Sequence, residues 1–395
     1  MSKKQILIVS GGMEIGGIER SLLGLLGEFD YEKYDVDLLL HSVGGEFLPL
    51  VDKRCNLLPE IPQCASMTKP IKAVLKRYPL IALSRLYKRF CVQEKYGLND
   101  ASGFALLSGY WQSCVKYMPA LEKEYDAAIS FMWPHEYTSK KVKAKKRIAW
   151  IHTDYTVAQM DFEKDEKTWG GFDKIAGVSD DVCTSFAKVY PSLADKLITI
   201  ENVLSPDFVR AQARLESPCD INTDFPVILS VGRFCHQKAF ELIPQYSRIM
   251  LDKGYEHRWY IIGYGGEEEL IKKEIEKYRV EKNVIVLGKK ANPYPYMAAC
   301  DIYAQPSRYE GKAVTVREAQ ILGKPVMITD FETAKSQVEN GVDGIICPMG
   351  AEHVANAVVS LLDDESRRKQ LSQNCMSRNY SNTQDIKILY DFIEE

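Results

Sequence analysis

Two glutamates eight positions apart, set around a glycine loop, are the residues of this chain best suited to do chemistry: Glu310 stands directly before Gly311, and Glu318 lies inside Val314 to Leu322. The second stretch reads as a short helix that Gly323 and Pro325 terminate. Gly311 lets backbone N–H groups approach a ligand closely. A helix opening near Ala313 presents unpaired N–H groups and the positive end of its dipole, which together favour a phosphate. Glu318, just over one turn inside, can accept hydrogen bonds from sugar hydroxyls. A diphosphate joined to sugars suits both groups.

The elements that must position these residues lie upstream. Val227 to Val231 reads as a buried strand, and Gly232-Arg233-Phe234-Cys235-His236-Gln237-Lys238 follows it. Two cations therefore stand in a loop between a strand and the next helix, where open α/β sheets bind ligands. Trp259 to Ile262 is a further strand that runs into a turn opened by Gly263, and Asp301 to Ser307 delivers the chain into the glutamate loop.

This ordered set resembles the retaining glycosyltransferases of family 4, which have the GT-B fold and include bacterial capsule and lipopolysaccharide enzymes. The resemblance covers most of the chain. It implies an α/β protein of two Rossmann-like domains facing a central cleft. It also implies sugar transfer from a nucleotide-diphosphate sugar, expected to be a UDP-sugar, to an acceptor hydroxyl with retention of configuration. By resemblance, Arg233 and Lys238 hold the donor diphosphate, Glu310 binds hydroxyls of the transferred sugar and Glu318 binds the ribose. Gly16 and Gly17 sit against the donor phosphates or the acceptor, and the backbone from Gly288 to Lys290 flanks the base. Gly263, Lys290, Gly311, Lys312, Ala313 and Val314 complete the expected donor set. Two residues depart from the family pattern: Ala239, where glycine commonly follows the lysine, and Lys312, where an apolar residue is common.

Length and composition fit two domains with full cores: 395 residues, 46% hydrophobic and 27% charged. The expected division is an acceptor-binding domain over residues 1–203, a donor-binding domain over 204–381, and a C-terminal helix in 382–395 that packs back on the first. No run of apolar residues is long enough to span a membrane, and none reads as a signal peptide. The ten cysteines are scattered without a CxxC pair and read as reduced thiols in a cytoplasmic protein.

The first strand, Gln5 to Val9, leads into Gly11-Gly12-Met13-Glu14-Ile15-Gly16-Gly17, which is out of register with the GxGxxG dinucleotide fingerprint and disfavours a nicotinamide enzyme. Two later strands end in histidines, one before His135-Glu136 and the other before His152-Thr153-Asp154. His152 is the preferred catalytic-site histidine on the acceptor side, because the family places a histidine followed by threonine in its active site. His135, Thr153 and Asp154 are the other acceptor-side candidates, and a purely structural role for either histidine stays open. Asp35-Val36-Asp37 spells the DxD of metal-dependent transferases but sits at the start of an apparent strand, so neither a metal nor another cofactor is expected. Arg233, Lys238 and the helix start would carry the leaving-group charge instead.

Between Met67 and Lys95 eight basic residues face one acid, with Leu83, Leu86, Tyr87 and Phe90 at helical spacing. Such a face suits anionic head groups or a lipid diphosphate. A solvated helix face is the alternative reading, and together with the resemblance the basic face makes a lipid-linked saccharide in bacterial surface-polysaccharide assembly the expected acceptor, with residues 69–95 against the inner face of the cell membrane. A net charge of −3 and the lack of a recognised motif make nucleic acid a poorer explanation, and none is expected as a partner. A nucleotide-sugar epimerase, a non-catalytic nucleotide-sugar binder and a scaffold are the rival readings.

Overall fold

A computed structural model describes residues 3–97, 102–153, 155–157, 161–310 and 313–395, so Asp154, Gly311 and Lys312 of the expected site lie outside the described residues. The chain divides into two compact units, residues 1–204 with 382–395 and residues 205–381. The first holds strands β1 (Lys4–Ser10), β2 (Tyr34–Leu40), β3 (Asn56–Leu57), β4 (Glu124–Ser130), β5 (Lys143–Ile151), β6 (Lys174–Gly177) and β7 (Leu197–Thr199). They form one sheet in the order β3-β2-β1-β4-β5-β6-β7. The second holds β8 (Val227–Val231), β9 (Arg258–Ile262), β10 (Val284–Gly288), β11 (Ile302–Gln305), β12 (Val326–Thr329) and β13 (Ile345–Cys347), in the order β10-β9-β8-β11-β12-β13.

Every pairing in both sheets is parallel. Parallel strands are covered by helices on both faces, so they read as continuous apolar runs. Ile6, Leu7, Ile8 and Val9 are completely buried, as is every residue of Val227–Val231 to within a few per cent. Each strand order reverses once, beside the first strand of its unit, which is Rossmann-like double winding. The reversal lies between β1 and β4 in the first unit and between β8 and β11 in the second.

The edge strands β3 and β13 have two and three residues, too short to leave a periodic signal in sequence. The basic stretch folds as two helices, Ile71–Leu75 and Pro79–Tyr96, and Pro79 opens the second at the first turn, where its missing N–H has no partner to lose.

In the first unit, the helix Gly17–Glu28 lies so close to the segment after β7 that a Cβ on Gly24 would stand 2.0 Å from the Val203 carbonyl oxygen. Ser21 Oγ donates to Asn202 Oδ1 at 2.7 Å on the same contact. Asn382 then ties the C-terminal segment to this place, accepting from the Leu204 N–H at 2.9 Å and donating to the Asn202 carbonyl at 2.7 Å. The helix Ile386–Glu394 follows and buries Ile386, Leu389, Phe392 and Ile393. Tyr390 stacks on Tyr34 at 5.1 Å between centroids, and Lys4 pairs with Glu394 at 2.8 Å.

Because the Val203 carbonyl is backbone and cannot swing away, Gly24→Ala is expected to destabilise the first unit by about 1–3 kcal/mol, the usual range for overpacking. Four of the five tryptophans (Trp111, Trp133, Trp150 and Trp169) lie in that unit, so urea unfolding followed by tryptophan fluorescence reads it directly.

Candidate functional site

The double winding of the second unit brings the loop after β8 against the loop after β11. The N–H of Arg308 donates to the Gln237 carbonyl at 2.8 Å, and its guanidinium pairs with Glu241 and donates to the His236 carbonyl. Glu310 is held by three donors within this junction. Lys238 Nζ and Ser307 Oγ reach its Oε1 at 2.5 and 2.6 Å, and Gln237 Nε2 reaches its Oε2 at 3.0 Å. A chain of buried polar groups stands behind: Gln305 Nε2 donates to Ser307 Oγ at 3.0 Å, and Tyr303 OH donates to Gln305 Oε1 at 2.8 Å. The carboxylate is thus fixed in place, since a buried charge is tolerated only when its lone pairs are met.

Arg233 is exposed and makes no ion pair with any described residue. It stands in the same loop as Lys238, whose charge is already matched by Glu310. Ala239, next in the chain, adopts φ 57, a left-handed conformation in which a side chain costs about 1–2 kcal/mol, so this departure from the family pattern falls where glycine fits best. Gly263 holds φ 155, and a Cβ there would stand 1.8 Å from the Gly232 carbonyl oxygen. Only glycine lets the turn after β9 pack against the loop after β8.

Glu318 is on the helix Val314–Ile321 and completely buried, with Tyr294 OH donating to its Oε1 at 2.7 Å. Ala313 is the N-cap of this helix; no side chain of the described residues caps its first turn, and the Ala313 N–H donates to Gln337 Oε1 at 2.8 Å. Lys290 is bridged to Asp220 at 2.6 Å. Arg233, Lys238, Gly263, Glu310, Ala313, Val314, Glu318 and Lys290 therefore all belong to one unit. Sequence reasoning missed Gln237, Ser307, Gln305 and Tyr294. Gln237 and Ser307 stand beside residues it singled out, but Tyr294 reaches Glu318 only through the fold.

The first unit carries the other expected residues. Gly16 is the N-cap of the helix Gly17–Glu28. His152 and Thr153 follow β5, and His152 Nε2 lies 2.8 Å from the Phe131 carbonyl. A carbonyl only accepts, so Nε2 carries the proton. Burial lowers the ring to about 4, so it is neutral at pH 7, with the Nδ1 lone pair available to accept from a hydroxyl.

His135 is placed differently. It is 1% exposed, packed 4.3 Å from the Trp169 ring, with Nδ1 2.7 Å from Ser130 Oγ. It belongs to the interior. Asp35 and Asp37 are each engaged separately: Asp35 accepts from Gln5 at 2.8 Å, and Asp37 accepts from Lys123, Tyr125 and Asn56 at 2.8, 2.9 and 2.7 Å. Among the described residues no group of three or more His, Cys, Asp or Glu side chains could hold a metal ion.

Beside His135, Glu136 is completely buried and neither carboxylate oxygen has a hydrogen-bond partner among the described residues. Burial first, then the nearby Asp165, raises it from an ordinary 4.5 to about 8. The folded form therefore keeps a proton that the unfolded chain releases, so this stabilisation is full below the unfolded value and is lost as pH rises through about 8. His41, His135 and His152 are lowered from 6.5 by burial, so near that pH the unfolded chain still binds protons that the folded rings do not, which opposes the trend until they are neutral in both states about one unit higher. Glu136→Gln keeps the histidine contribution and removes that of Glu136, so between pH 6.5 and 8 the wild type is expected to lose about 2 kcal/mol relative to the variant, at ~1.4 kcal/mol per pH unit, in urea unfolding at the two pH values.

Residues 213–378 match the family model Glycosyl transferases group 1. The lipopolysaccharide core biosynthesis glycosyltransferase LpsE of Rhizobium meliloti (strain 1021) is 29% identical over 164 residues, 41% of this chain and 46% of that protein. The capsular polysaccharide biosynthesis glycosyltransferase CapM of Staphylococcus aureus is 27% identical over 176 residues, 44% of this chain and 46% of the relative. Each such match spans less than half of the relative's length. Among solved structures, a mutant of S. aureus TarM in complex with fondaparinux, alpha-GlcNAc-glycerol and UDP has a TM-score of 0.70 at 14% identity, covering 99% of this chain and 100% of that one. HepE of Anabaena in complex with UDP-glucose has a TM-score of 0.64 at 17% identity, covering 98% and 100%. The two Rossmann-like units are those of the GT-B fold.

Proposed function

We propose that this chain is a retaining glycosyltransferase that moves a sugar from a nucleotide-diphosphate donor, a UDP-sugar, to a hydroxyl of a lipid-linked saccharide in bacterial surface-polysaccharide assembly. The observation that carries the reading is the pairing of Lys238 with Glu310 where the strand order of the second unit reverses, with Arg233 exposed in the same loop as Lys238. The family match falls on the same unit, and the similarity to UDP-bound GT-B structures supports a diphosphate there.

In this mechanism the unmatched charge of Arg233 and the ammonium of Lys238 stabilise the departing diphosphate, with the uncapped helix start at Ala313 and Val314 as a further positive end. The bond from the sugar's anomeric carbon to the diphosphate oxygen breaks. The acceptor oxygen forms the new bond on the same face, and its proton passes to the diphosphate. Glu310 holds the sugar hydroxyls and Glu318, oriented by Tyr294, holds the ribose. The first unit supplies the acceptor side, where His152 Nδ1 accepts from a hydroxyl. No metal enters, because fixed cations carry the leaving-group charge.

The test screens purified protein against UDP-, GDP-, ADP-, CMP- and dTDP-sugars by thermal shift and nucleotide release, with and without EDTA. Stabilisation by one donor class with release that survives EDTA is the expected result. No stabilisation by any donor sinks the diphosphate site. Glu310→Ala is expected to keep nucleotide binding, since it frees Lys238 from its counter-charge, while turnover falls ~10²–10³-fold. Unchanged turnover would remove Glu310 from the mechanism. Arg233→Ala is expected to weaken nucleotide binding and turnover together, read as a smaller thermal shift at the same donor concentration.

A further inference from the structure

The helix Pro79–Tyr96 has two apolar faces, and only one is covered. Its inner face buries Ile81, Ala82, Arg85 and Val92, packed on the helix Ser102–Cys114. Arg85 is an anchor: its guanidinium donates to the Ser66 and Lys69 carbonyls at 2.6 and 2.8 Å and lies 5.0 Å from the Tyr110 ring centroid. The outer face carries Leu80, Leu83, Leu86, Tyr87 and Phe90, exposed by 58, 56, 45, 65 and 59%. Steps of three and four residues put these five side chains on one ridge along the helix. Leu75, 46% exposed, ends the short helix that precedes it.

Exposed cations outnumber acids on the two helices that carry the ridge, where Glu94, four residues after Phe90, is the one acid between Met67 and Lys95. Lys72, Lys76 and Arg89 are exposed and make no ion pair with any described residue, whereas Lys69 has Glu60 within 3.8 Å. No helix of the described residues is long and apolar enough to cross a membrane. The ridge is therefore a surface feature, and water is a poor solvent for it.

We infer that this ridge docks the protein on an anionic lipid surface, with the apolar side chains entering the head-group boundary and Lys72, Lys76 and Arg89 meeting the head-group charges. Charge complementarity selects this occupant. A second copy of the chain meeting the ridge through a two-fold contact would set the same three cations against their equivalents, which repel. An anionic bilayer is complementary to them everywhere, and it accommodates a convex row of long apolar side chains without a shaped groove. The inference is independent of the donor chemistry: lipid binding is read without any transfer reaction, so its failure and a failure of the transferase reading are separate results.

The experiment floats the full chain with vesicles of phosphatidylcholine alone or of an equal mixture of phosphatidylcholine and phosphatidylglycerol. The protein is expected to float only with the anionic vesicles and to be released by salt. The triple variants Leu83→Ser/Tyr87→Ser/Phe90→Ser and Lys72→Glu/Lys76→Glu/Arg89→Glu are each expected to lower partitioning at least ~10-fold, with thermal melts and donor-induced thermal shifts unchanged. Failure of the wild type to bind anionic vesicles overturns the inference. So does flotation of either variant at the wild-type level, or a wild type that instead dimerises in sedimentation through the ridge while ignoring lipid.

Discussion

A doubly wound parallel sheet must send its chain away from the two central strands in opposite directions, and the backbone that diverges there cannot be covered by either neighbouring crossover. Both units are built around that constraint. In the second unit the loops that leave β8 and β11 are the ones rich in charge, and they close on each other through Glu310, which takes Lys238, Gln237 and Ser307 at once. Of the three donors, Ser307 is itself held from behind. Tyr303, Gln305 and Ser307 form a buried relay, and Arg308 bridges to Glu241 from the other side.

That arrangement separates two kinds of charge. Lys238 and Glu310 neutralise each other in a mostly buried pair, which organises the loops, while Arg233 remains exposed without a counter-ion among the described residues. In the proposed reading the diphosphate meets Arg233 first, with Lys238 beside it already paired to Glu310. Positioning of this kind requires no rearrangement of the sheet beneath it.

The first unit has a different character. Its reversal between β1 and β4 leads into a buried cluster in which His135, Glu136 and Asp165 sit among Trp169, Phe172 and Tyr155, with Glu136 raised to about 8 by burial and then by Asp165. His152, one strand further on, is only half-buried and keeps an acceptor nitrogen. Two histidines at strand ends thus have unlike environments. Outside this core the helix Pro79–Tyr96 presents the ridge that no other described element covers.

The sequence by itself determined the elements and the kinds of residue at their ends. Continuous apolar runs mark buried parallel strands, glycines mark the turns that follow, and Arg233, Lys238 and Glu310 stand in the loops after strands, with Glu318 just over one turn inside the next helix. Edge strands of two or three residues leave no period to detect. Strand order is likewise absent from the sequence, since it depends on the side of the sheet to which each crossover returns, and that is decided by packing. Only the tertiary structure therefore decided that Glu310 meets Lys238 across 72 positions, that Tyr294 orients Glu318 and that Gly24 yields room to Val203. It also gave two histidines that look alike in sequence unlike surroundings, because burial is a property of what surrounds a residue and not of its neighbours in the chain.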